Sequence, residues 1–134
     1  MVNVLYIEKV GPHNAEKLRA AHIRSVEKLL EAAGTPAGRR QLAELCSVSE
    51  HTILEWVNRA DLHRIRGIGE EYADLLEVAG VDTVVELAQR NPANLHQKLV
   101  EINGATARVR RLPTAAQVAD WIAQAKNLPR MVSY

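Results

Sequence analysis

Apolar residues recur along this chain three to four positions apart, the spacing of helices packed on one face, and strand-like alternation is nearly absent. The clearest stripe is Val118, Trp121, Ile122, Ala125 and Leu128, lying behind a Thr114 that can cap the helix. In the latter part of the chain the pattern predicts four helices. The first runs from about Glu70 to Ala79, with Gly80 as its stop. The second follows Asp82-Thr83, either of which can cap it. The third opens on Asn91-Pro92, a cap with proline at the first helical position, and runs to about Ile102; the fourth follows Thr114. The earlier part predicts helices near 13–21, 26–33, 36–45 and 50–62, with Thr35-Pro36 in the role of Asn91-Pro92 and Ser49 as a further cap. Gly38 falls inside the third of these, where glycine costs about 1 kcal/mol relative to alanine.

The pattern also repeats. A shift of 58 positions sets Ile7 on Ile65, Val10 on Ile68, Gly11 on Gly69, Ala15 on Ala73 and Leu18 on Leu76, and continues through Ile23 on Val81 to Leu29 on Leu87. Later the shift becomes 65, with Ile53-Leu54-Glu55-Trp56-Val57 on Val118-Ala119-Asp120-Trp121-Ile122. The seven extra residues fall in the segment Asn103–Pro113, a loop by composition. The expected architecture is all-α: one domain over 1–134, with four-helix halves over about 7–62 and 65–128 and a tail at 129–134. Val2, Val4 and Tyr6 at one end and Met131-Val132-Ser133-Tyr134 at the other are β-prone, which suggests a short terminal ribbon.

Between the predicted helices lies Ile65-Arg66-Gly67-Ile68-Gly69-Glu70-Glu71, a glycine turn feeding a helix N-terminus. Ile7-Glu8-Lys9-Val10-Gly11-Pro12 stands in the matching place. The run Ile65-x-Gly67-Ile68-Gly69-x-x-x-Ala73-x-x-Leu76 resembles the helix-hairpin-helix motif of DNA-repair and recombination proteins, and two copies resemble the tandem form of that domain. With its Trp-bearing helices and Pro-x-x-x-x-Tyr end, the chain is similar to a family of small stand-alone bacterial proteins of unassigned function. The resemblance implies that backbone N–H groups near Gly67, Ile68 and Gly69, and near Val10 and Gly11, meet phosphate oxygens of double-stranded DNA, aided by the helix dipole. Lys9, Arg64 and Arg66 would supply charge, and such contacts position a protein without reading bases. The first copy departs from the motif, with Lys9 where the leading glycine belongs.

Charge tempers this picture. The net charge is +1, and residues 1–64 carry nine Lys/Arg against eight acids while 65–134 carry eight against eight. A protein relying on long-range attraction to nucleic acid usually has a basic excess. Glu70 and Glu71 sit in the first turn, where they complement the helix dipole themselves, and Pro12 lacks an N–H. Arg108, Arg110 and Arg111 form the most basic segment, with no acid from Ile102 to Ala119; a mobile loop meeting phosphate and a solvated loop are both open readings. Arg39-Arg40 reads as a plain exposed helix face, and Trp56 and Trp121 as core, or else as one face for a partner or dimer. The lone Cys46 excludes an internal disulfide and fits a reducing cytoplasm and a buried position. The five histidines show no zinc spacing, no cofactor fingerprint or catalytic constellation is present, and no apolar run reaches the ~20 residues of a membrane span. The expectation is a non-enzymatic, cytoplasmic module, monomeric or weakly dimeric, that touches nucleic-acid backbone. The alternative is a protein-interaction module on the same scaffold.

Overall fold

The computed structural model describes residues 7–134. Its elements are all helices: α1 (Gly11–Ala20), α2 (Val26–Ala33), α3 (Pro36–Cys46), α4 (Glu50–Leu62), α5 (Glu70–Val78), α6 (Val84–Ala88), α7 (Pro92–Thr106) and α8 (Ala115–Lys126). No strand occurs among the described residues. Of the expected ribbon, the N-terminal side lies outside them, and residues 129–134 have no regular structure. The chain divides into two compact units, Met1–Asp61 with Arg130–Tyr134, and Leu62–Pro129.

In the first unit, short polar side chains set the helix starts. Ser25 accepts from Lys28 N–H (3.2 Å) at α2, Thr35 from Gly38 N–H (3.2 Å) at α3, and Ser49 from Thr52 N–H (3.1 Å) at α4. Leu18, Leu29, Ile53, Trp56 and Val57 form the core with almost no solvent exposure. α3 packs on both α1 and α2. Gly38 permits the second of these contacts, because a Cβ there would stand 2.0 Å from the Ala32 carbonyl oxygen.

Arg39 overturns the expectation of an exposed Arg39-Arg40 pair, being only 5% exposed while Arg40 faces solvent. Neighbouring helical residues point in different directions, and Arg39 points at the C-terminal carbonyls of α2. Its guanidinium donates to Ala33 O (3.2 Å) and Gly34 O (3.0 Å), and also to Ser133 O (2.6 Å). Ser133 N–H returns a bond to Gly34 O (2.8 Å), and Val132 is buried in this core. The tail is thus tied down without forming a strand.

The second unit follows the same chemistry. Thr83 accepts from Glu86 N–H (3.3 Å) at α6, and Asn91 from Asn94 N–H (3.0 Å) at α7. Thr114 and Gln117 form a reciprocal capping box at α8, with bonds of 3.1 and 2.9 Å. α8 packs on α6 and α7, and α5 on α7, around Leu76, Leu87, Leu95, Leu99, Val118, Trp121 and Ile122. α7 runs four residues past the expected end at Ile102, so the first part of what composition marks as loop is helix. It stops at Ala107, which still bonds Asn103 O through its N–H at 2.7 Å and then turns the chain away with a left-handed φ of 49°.

α1 and α5 end alike. Ile23 N–H bonds Leu18 O (2.8 Å), and Val81 N–H bonds Leu76 O (2.9 Å), each across one left-handed residue. In α5 that residue is Gly80 (φ 89°), the expected stop; after α1 it is His22 (φ 65°). A side chain in this conformation is strained, whereas glycine is not, although glycine gives the unfolded chain more freedom. Replacing the exposed His22 with glycine is expected to stabilise the protein by about 0.5–1 kcal/mol, seen as a rise in Tm of about 2–5 °C in a calorimetric scan. A fall in Tm would show that the imidazole contributes more than the backbone strain costs.

Candidate nucleic-acid interface

The turn before α5 is built by two backbone bonds, Ile65 N–H to Leu62 O (3.1 Å) and Ile68 N–H to Ile65 O (3.2 Å). Gly67 takes φ +100°, and a Cβ there would lie 2.9 Å from Trp121 Nε1, so both conformation and space require glycine. Gly69 is extended and stands as the N-cap of α5 without a side chain to offer. Helices α2, α3, α6, α7 and α8 all begin under a side-chain cap, whereas the first turn of α5 does not. Gly67 and Gly69 are exposed, and their N–H groups donate to nothing among the described residues. Ile68 is buried, and its N–H is engaged inside the turn. Glu70 is held by His63, with Nε2 and Oε1 2.7 Å apart, while Glu71 is exposed.

The arginines of this unit separate into two groups. Arg64 donates to Pro129 O (2.8 Å), Arg90 donates to Ala79 O (3.1 Å), and Arg108 pairs with Asp74 (2.8 Å). Arg66, Arg110 and Arg111 are exposed, and their side chains form no ion pair among the described residues. The backbone of Arg66 is gripped by Gln124, whose Oε1 accepts its N–H (2.8 Å) and whose Nε2 donates to its carbonyl (3.0 Å). Asn103 does the same for Val109, with Oδ1 accepting N–H (2.9 Å) and Nδ2 donating to the carbonyl (3.2 Å). Val109 is buried in the core, and Tyr72 donates its hydroxyl to Arg111 O (2.9 Å). The ring of Tyr72 lies 5.2 Å from that of Trp121, tilted by 50°. Gln124, Asn103, Tyr72 and His63 have no distinguishing sequence pattern. Only their position beside the glycine turn, or beside the arginines, marks them.

The turn before α1 is different. Val10 N–H bonds Ile7 O (3.0 Å), and Val10 is buried in a right-handed helical conformation. With Lys9 in the place that Gly67 holds in the other turn, the left-handed residue is Gly11 (φ 75°), two positions further on. Pro12 follows and brings no donor. The Lys9 ammonium is committed to Glu55 at 3.4 Å. Of the residues expected at this turn, Lys9 is paired, Val10 has its amide engaged, and Gly11 opens a helix turn with one donor fewer.

Trp56 and Trp121 are each 1% exposed, which makes them core and excludes the shared exposed face. Burial pushes the Cys46 thiol up from its ordinary range, and nearby Lys17, whose Nζ donates to Cys46 O (3.0 Å), offsets this only in part. Among the described residues, no three His, Cys, Asp or Glu side chains are grouped to hold a metal ion, and no helix is long and apolar enough to cross a membrane. Comparison with curated proteins and with solved structures returns no significant match. Residues 8–128 match the domain of unknown function DUF4332, and the chain belongs to that family.

Proposed function

We propose that this protein is a non-enzymatic module that holds nucleic-acid backbone without sequence preference, built on two helix-hairpin-helix halves of which the second makes the contact. The observation that carries this reading is the uncapped, exposed start of α5 beside Arg66, with the Gly67 and Gly69 amides open and Glu70 drawn onto His63. An N-terminal helix turn with free N–H groups favours an anion. With its lysine paired and a proline in its helix start, the first hairpin contributes less. The even charge and the exposed Glu71 favour the second reading, a protein-interaction module on this scaffold.

Few phosphates are neutralised in this arrangement, so binding should be weak and its salt slope modest. Two labelled duplexes of unrelated sequence, titrated at about 20 and about 200 mM salt, are expected to bind alike at the lower salt. Log affinity should fall with log salt at a slope of about −3, from three contacts at about −0.9 each. Arg66→Gln should make the slope shallower by about one contact. No binding at the lower salt, by duplex or by single strand, overturns the proposal.

A further inference from the structure

The two turns that carry the unpaired arginines are each fixed by the same device. Gln124 closes both backbone groups of Arg66, and Asn103 closes both backbone groups of Val109, directly before Arg110 and Arg111. Ala107 precedes that loop in a left-handed conformation unfavourable for alanine, and Arg108 is braced on Asp74. Tyr72 connects the two turns: its hydroxyl bonds Arg111 O, and its ring packs on Trp121, whose Nε1 lies under Gly67. A loop serving only as a solvated connection has no need of such restraint. Fixing backbone on either side of exposed, unpaired guanidinium groups lowers the entropy lost when they bind.

We propose that Arg66, Arg110 and Arg111 form one preorganised surface that follows successive phosphates of a single polynucleotide strand, with Gln124 and Asn103 as its positioning residues. This rests on the reading of the protein as a backbone binder and adds which strand contacts it makes and what holds them. Arg108 is a strut in this arrangement, not a contact. Because every member lies in the second unit, the surface needs only one strand.

The test uses the full chain and a labelled single-stranded oligonucleotide of about 20 nucleotides of mixed sequence, titrated across a salt series. R110Q/R111Q is expected to weaken binding about tenfold and to make the salt slope shallower by about 1.4, two contacts at about 0.7 each. Lys98→Gln removes a charge from an exposed part of α7 and should change affinity less than twofold. Asn103→Ala should weaken binding in the wild-type background and add nothing in the R110Q/R111Q background, a non-additivity that general destabilisation would not produce. Should Lys98→Gln weaken binding as much per charge as R110Q/R111Q, or Asn103→Ala add its full loss in both backgrounds, the surface is overturned while backbone binding stands. Binding of poly-glutamate with no binding of either oligonucleotide form overturns both.

Discussion

Replacing Gly38 with alanine is expected to destabilise the protein by about 1–2 kcal/mol, although alanine is the better helix former. By propensity alone the substitution would gain about 1 kcal/mol. Against this, the new Cβ would stand 2.0 Å from Ala32 O and 3.2 Å from Ala33 Cα, both backbone atoms of α2 that no side-chain rotation can move. The two helices must separate, and overpacking of this kind costs about 1–3 kcal/mol or more. Gly104→Ala is the contrast: Gly104 lies in α7 with nothing within 4 Å of its added Cβ, and the same substitution there should stabilise by about 1 kcal/mol. Urea denaturation of both variants checks the pair. A raised midpoint for Gly38→Ala would show that the α2–α3 contact yields freely.

The second large effect is expected at Arg39. Leucine in its place keeps some of the apolar stem but removes the donors to Ala33 O, Gly34 O and Ser133 O. Hydrogen bonds from a charged donor contribute about 1.5–3 kcal/mol each, and a buried carbonyl left without a partner adds its desolvation cost. Ser133 N–H still serves Gly34 O, so the expected loss is about 3 kcal/mol. A chain ending at Pro129 should lose a comparable amount, since Val132 leaves the core and Arg39 loses one acceptor. Because both changes break the same contact, the combined variant should be more stable than the two losses added would predict, and denaturation of all three measures the coupling. Full additivity would mean that the tail and Arg39 act independently.

The sequence made the helix count and most helix starts readable because these depend on local chemistry. Thr35, Thr83, Asn91 and Thr114 each precede an apolar stripe, and their side chains reach amides three residues on. What escaped depends on distant partners. Gly38 reads as a weak point of α3 until Ala32 of α2 is seen against it. Arg39 and Arg40 look equivalent until Ser133, 94 residues away, proves to be a partner of the first only. The glycine turn at 65–69 was legible from its spacing, and its open amides follow from Gly69 having no side chain. The engagement of the Val10 and Ile68 amides, and the grip of Gln124 and Asn103, have no local signature.

Val132 enters the core of the first unit from the far end of the sequence. On a ribosome, where chain emerges N-terminus first at about 5–20 residues per second, each unit closes once its own segments are available. The second unit is contiguous and ends at Pro129. The first is synthesised earlier but waits, lacking one core side chain and leaving a buried guanidinium short of an acceptor, until residues 130–134 follow. The unit that begins first is completed last.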